Sequence, residues 1–189
     1  GRFDDAETLA ETTLEIWQTI QAPPSSVSLQ QTRLLLTDIW ILQEDWPAAK
    51  RMFAEIGFGL VNDSESRQRL LDQNPGYALT LMNTGQAEPA QNVLALAYEE
   101  KRGSVGEKHR ETAELGGLYA TVLQAAGKKE KALALYRATV PLLLSRSRGA
   151  MGSLGVVYER RLAAILDSYI GLLADLYQEN TTGPLAGEY

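Results

Sequence analysis

Apolar residues recur along this chain at spacings of three and four, and the recurrence is broken at near-equal intervals. Four breaks share one arrangement, a turn residue followed five positions later by an alanine. They are Gly1-Arg2-Phe3-Asp4-Asp5-Ala6, Glu44-Asp45-Trp46-Pro47-Ala48-Ala49, Gly85-Gln86-Ala87-Glu88-Pro89-Ala90 and Gly127-Lys128-Lys129-Glu130-Lys131-Ala132. The turn positions 1, 44, 85 and 127 lie 43, 41 and 42 residues apart. A near-constant period of this size marks a stacked array of supersecondary units.

The interior of each copy repeats as well. Leu36 and Trp40, then Tyr77, Ala78 and Leu81, then Tyr119, Ala120 and Leu123 precede the turn. Ala49 and Phe53, Ala90 and Leu94, and Ala132 and Tyr136 follow it. Such spacing places the apolar positions on one helical face. Two helices joined by a short turn approach closely where one side chain is a methyl group, and larger neighbours fill the gap beside it. The spacing therefore predicts an all-α fold of helix pairs, the first pair truncated to its second helix.

Pro75-Gly76 falls where the first helix of the third unit should be running. Proline suits a first helical turn and Asn74 suits the cap before it, so that helix is expected to restart at Asn74, leaving 65–73 as a separate short helix. Residues 145–153 read as a basic, glycine-bearing loop before a long helix over about 154–178. Tyr158, Leu162, Ile165, Leu166, Tyr169, Leu172, Leu173 and Leu176 form a stripe along that helix. The stripe must be buried, and the open end of a stack needs a cover, so the helix is expected to cap or continue the array. Residues 179–189, with Thr181-Thr182-Gly183-Pro184, read as a linker or frayed end.

The repeated copies resemble the tetratricopeptide repeat in its long form, as in kinesin-light-chain-like arrays. Gly106-Glu107-Lys108-His109-Arg110-Glu111-Thr112-Ala113 is similar to the loop of that group, which reads approximately Gly-Glu-Asp-His-Pro-Asp-Thr-Ala; Lys108 and Arg110 depart from it. The resemblance covers residues 1–146 and implies a right-handed α-solenoid of antiparallel helix pairs with a long C-terminal helix. It implies little about function, because such arrays serve many binding roles. A narrower resemblance runs from Arg160 to Leu173, Arg-Arg-Leu-Ala-Ala-Ile-Leu-Asp-Ser-Tyr-Ile-Gly-Leu-Leu. It is similar to the helix linking repeats to the caspase-like CHAT domain of bacterial proteins, where the repeats regulate a protease-like domain. The chain starts without methionine and inside the pattern, which reads as a fragment of a longer protein. On that reading residues 1–146 are repeats, 147–178 a loop and capping helix, and 179–189 a linker.

Composition narrows the function classes. Eighteen basic against 24 acidic residues give a net charge of −6. Such a field opposes general binding to nucleic acid. There are no cysteines, which removes disulfides, thiolate metal sites and thiol nucleophiles together. No apolar run approaches the ~18–20 residues a membrane helix needs, and the charged start does not resemble a secretory signal. The expectation is a cytoplasmic protein without a membrane segment.

His109 is the single histidine and the one candidate base. Ser104, Glu107 and Glu111 lie near it in sequence, yet a triad needs fixed geometry and an oxyanion donor that an inter-repeat loop does not offer. The plainer role for His109 is to pin that loop. His109 with Glu111, and Asp4 with Asp5, lack the spacing of a convergent metal shell. Gly149, Gly152 and Gly155, and Gly127-Lys128, lack the strand and the Ser/Thr of a phosphate loop. No enzyme activity, metal or cofactor is expected. The basic cluster Arg146, Arg148, Arg160 and Arg161 reads either as a dock for an acidic segment or as a wet loop edge.

The first helix of each pair lines the concave side of a stacked array. The groove-facing candidates are then Gln31 and Asp38, Leu79 and Asn83, and Glu114, Thr121 and Gln124. Such a groove takes an extended peptide or a helix. Leu118 and Gly76 stand where carboxylate-clamping arrays often carry asparagine, which argues against a clamp. The expected partner is a protein, a peptide or an adjacent domain of the same chain. A structural, self-associating element is the alternative, through the stripe between Tyr158 and Leu176.

Overall fold

The structure is a computed structural model that describes residues 2–146 and 155–182. Every regular element among the described residues is helical. The helices are α1 Arg2–Thr19, α2 Val27–Leu42, α3 Trp46–Gly59, α4 Ser64–Arg67, α5 Pro75–Asn83, α6 Ala87–Val105, α7 Arg110–Ala125, α8 Lys129–Arg146 and α9 Gly155–Thr182. A π-helical stretch, Gln68–Asp72, continues α4.

The interior turns share one backbone geometry. Glu44, Gly85 and Gly127 have φ of 62°, 80° and 75°. The residue after each donates its backbone N–H five positions back: Asp45 to Trp40, Gln86 to Leu81 and Lys128 to Leu123, all at 2.8 Å. This left-handed cap satisfies carbonyls the helix end would leave bare and reverses the chain within a few residues. Glycine adopts it at little steric cost, whereas Glu44 bears the strain of a Cβ there. One period along the sequence is therefore one repeated turn in space.

Beyond each turn the predicted alanine is sealed: Ala49, Ala90 and Ala132 are all 0% exposed. Ala6, the fourth member of the register, is exposed.

Asn74 restarts the chain as the proline predicts. Its Oδ1 accepts the N–H groups of Gly76 at 2.8 Å and Tyr77 at 3.2 Å, with Pro75 in the first turn. The preceding segment is the separate short helix, α4 with its π-helical continuation.

The chain forms two compact units, residues 1–97 and 98–189, divided inside α6. In the first unit α2 packs against α1 and α3, and α5 packs against both α2 and α3. Leu36, Ile39, Met52, Phe53, Ile56, Leu60 and Leu71 form its core, joined by Ala10 of α1. The Phe53 and Tyr77 rings meet at 4.9 Å. Polar ties hold the edges. Trp40 Nε1 and Gln43 Nε2 donate to the two carboxylate oxygens of Glu7, at 2.6 and 2.9 Å, and Arg33 pairs with Glu55 at 3.3 Å.

The second unit repeats the scheme, with α8 on α7 and α9 on both. A Cβ at Gly116 would come within 2.6 Å of Thr139 on α8, and one at Gly117 within 2.8 Å of Ile165 on α9. Two adjacent glycines thus let two helices approach one backbone. Ile165 and Leu172 are fully buried, as the α9 stripe predicts, but Leu173 is 41% exposed, because it lies on the flank turned away from α7 and α8. Residues 147–154, most of the predicted basic loop, and 183–189 of the predicted linker lie outside the described residues. Residues 179–182, expected to belong to that linker, instead extend α9.

Candidate binding surfaces

The groove candidates separate into surface and interior. On α2, Gln31 and Asp38 are exposed. Asp38 overlooks the start of α5, since a Cβ at Gly76 would come 3.8 Å from its Oδ1 and 3.0 Å from Ile41. On α5, Asn83 is exposed and its Nδ2 donates to the Leu79 carbonyl at 2.8 Å. Leu79 itself is buried and serves packing rather than a ligand face. Gln31, Asp38 and Asn83 are thus the surface residues of the proposed set in the first unit.

In the second unit the candidates are engaged within the chain. Glu114 accepts from the Arg161 guanidinium of α9 at 3.0 Å, with both side chains largely covered. Thr121 is buried, so it does not face a ligand: its hydroxyl donates to the Gly117 carbonyl at 3.1 Å and meets the Tyr136 hydroxyl at 3.0 Å. The Tyr136 hydroxyl also reaches Gln124 Oε1 at 3.3 Å. Burial raises the Tyr136 pKa, so the phenol keeps its single proton, which Thr121 Oγ1 and Gln124 Oε1 share as acceptors. Arg110 lies 3.8 Å over the Tyr158 ring, a cation–π contact one turn away from the Glu114–Arg161 pair. Helix α9 therefore sits on the side of α7 that carries Arg110, Glu114, Gly117 and Thr121. A one-sequence register cannot reveal this, because it does not say which flank of α7 the last helix will take.

The residues weighed for chemistry hold local structure. His109 caps α7, its Nδ1 accepting the Glu111 N–H at 3.3 Å, which is the pinning role its place in the loop suggests. The Ser104 hydroxyl donates to the Lys101 carbonyl at 3.1 Å, and Glu111 pairs with Lys101 at 2.8 Å. The hydrogen bond and charge of Lys101 hold the Glu111 carboxyl below its ordinary pKa. Glu107 faces Arg102 at 3.7 Å. Among the described residues no three His, Asp or Glu side chains converge as a metal shell would require, and no helix is long and apolar enough to cross a membrane. Of the basic cluster, Arg161 is taken up by Glu114, and Arg148 lies outside the described residues.

Several exposed apolar residues went unread in the sequence: Leu9 and Ile16 on α1, Ile20 just beyond it, and Ile170 and Tyr177 on α9, which stand beside Leu173 of the predicted stripe. The signal for the first was present: Leu9 stands in the register of Met52, a core residue. No protein-family model matches this chain, and no curated protein matches it.

Proposed function

We propose that this chain is a non-catalytic protein-binding scaffold, an α-solenoid of tetratricopeptide-like helix pairs serving as the regulatory arm of a larger protein. The observation that carries the reading is the repetition of one packing scheme. In α2–α3–α5 and again in α7–α8–α9, a helix pair joined by the same left-handed turn receives the next helix against both of its members. A unit that buries its face only by accepting a neighbour is the building principle of repeat scaffolds. The bacterial CHAT-linked arrangement is the specific form we favour, on the likeness of α9 to their linking helix.

The binding face proposed is the exposed polar edge Gln31, Asp38 and Asn83, suited to an extended peptide or helix through a few polar contacts. A pull-down with the complete parent protein tests this. Wild type is expected to retain a polypeptide partner or an adjacent domain, and Asp38→Arg with Asn83→Arg to release it. Retention unchanged by both substitutions would exclude this edge.

Self-association is the second reading, favoured by Ile170, Leu173 and Tyr177 standing exposed at spacings of three and four. It cannot use the inner stripe, since Ile165 and Leu172 are buried within the chain. Sedimentation of wild type against Ile170→Asp distinguishes the two, a concentration-independent monomer eliminating it.

A further inference from the structure

Helix α9 lies on the α7 positions that the register assigns to a ligand-facing side. Glu114 accepts from Arg161 at 3.0 Å, and Arg110 lies over the Tyr158 ring. Ile165 fills the gap at Gly117, where a Cβ would come within 2.8 Å of it. Deeper in, the Tyr136 hydroxyl meets Thr121 and Gln124 while its ring packs against Tyr169 at 5.0 Å. The next helix of the first unit is placed otherwise. Its first turn, at Gly76, lies beside Asp38 and Ile41 near the end of α2, in register with Thr121 and Gln124. Helix α9 instead runs beside α7 from its first turn, and so covers Glu114 and Gly117 as well. Its hold is shallow. Among the described residues of α9 only Ile165 and Leu172 are buried, against ten buried residues on α7. The Tyr158 hydroxyl is shut from water with no hydrogen-bond partner among the described residues, a cost of the seated state that leaving would relieve. Few sealed apolar side chains mark elements that open locally before the whole fold does.

We infer that this face of α7 and α8 is a helix-binding seat which α9 fills as an internal ligand, and that a partner's amphipathic helix of the same pattern takes its place. The pattern is Tyr158, Arg161, Ile165, Tyr169 and Leu172, spaced three, four, four and three residues apart. Such spacing puts the five on one face of a helix. The seat has an answer to each kind of side chain. The arginine meets the Glu114 carboxylate, the branched aliphatic residue fills the gap left by Gly117, and the aromatic residue packs on Tyr136. A helix is the form that fits, because a glycine lets a second helix come close to α7. An acidic or wholly apolar helix would leave the largely covered Glu114 opposed or unpaired. The seat presupposes the scaffold reading above and shares no residue with Gln31, Asp38 and Asn83.

Hydrogen exchange of the full wild-type chain is the first test. Amides between Tyr158 and Leu176 are expected to exchange at least about tenfold faster than the core amides of α7. High salt should widen the gap by screening Arg161 from Glu114 and Lys129 from Glu179. Exchange of the two helices in step overturns the proposal, since α9 would then belong to one cooperative fold. The second test titrates the full chain with a labelled peptide of residues 155–179. Arg161→Glu in the chain should open the seat and tighten the wild-type peptide by about tenfold or more. Glu114→Arg should open it too, but then favour the peptide that carries Arg161→Glu. Exchange at α7 and α8 checks both variants, and loss of protection there together with α9 again overturns the proposal. So does binding indifferent to Glu114→Arg, which would assign the peptide to the exposed edge of α9. Peptide binding as expected, in a parent protein that retains no polypeptide partner, would refute the scaffold reading alone. A retained partner without peptide binding would refute the seat alone.

Discussion

Helices α1 and α9 both lie against a neighbouring helix pair or helix, yet they are held in opposite ways. Helix α9 is fastened along its length. Arg110 rests over Tyr158, Glu114 pairs with Arg161, Ile165 seats against Gly117, the Tyr136 and Tyr169 rings meet at 5.0 Å, and Lys129 reaches Glu179 at 2.5 Å. Helix α1 buries one side through Ala10 and ties Glu7 to Trp40 and Gln43, while Leu9 and Ile16 face water. The units around them differ in charge to match. The first 97 residues carry six basic against thirteen acidic residues, a net of −7, and the remainder twelve against eleven, a net of +1. The second unit has cations enough to pair its own carboxylates across helices. The first has fewer cations, and five of its thirteen carboxylates stand on α1.

The sharpest way to break this contrast is a pair of truncations. Ile165→Ala should destabilise the second unit by about 2–5 kcal/mol, because it leaves a cavity against a glycine that cannot fill it. Leu9→Ala should change stability by no more than about 0.5 kcal/mol, since its side chain is already in water. Urea unfolding of both variants measures the difference, and equal losses would abolish the distinction between a seated and an open helix. Next in size is Arg161→Ala, expected to cost about 1–2 kcal/mol by leaving the mostly covered Glu114 carboxylate without its partner. Double-mutant analysis with Glu114→Gln should recover much of that loss.

Two smaller effects sharpen the comparison. Glu44→Gly should stabilise by up to about 1 kcal/mol, by removing a Cβ from a left-handed position that Gly85 and Gly127 already fill with glycine. Thermal unfolding should register a rise in Tm. The smallest effect is expected on acidification. The folded pKa of Glu111 lies below its unfolded value, so its pairing with Lys101 contributes stability above the ordinary glutamate range. That contribution is lost as pH falls through the lowered folded value. Lys101→Met should therefore flatten the acid limb of the stability curve slightly, and added salt should do the same in wild type.

Much of the fold was legible because it is written locally. The left-handed turns at Gly85 and Gly127, the restart at Asn74-Pro75 and the cap at His109 each depend on residues a few positions apart. The sealed alanines followed from period alone. The candidate surface was less legible. Polarity put Asp38 and Asn83 outside correctly, but Leu79 and Thr121 occupy positions whose exposure depends on what lies beside them. Thr121 in particular is drawn inward by the Tyr136 hydroxyl, a contact between residues on two helices.

The order of residues alone specified helices, their turns and the methyl-sized points of contact, since those rest on backbone preferences and short-range spacing. Which flank of each helix is covered was chosen by packing in three dimensions. Burial is a property of neighbours: Leu9 and Met52 are equivalent in pattern and α2 packs against both of their helices, yet Met52 is sealed in the core and Leu9 faces water.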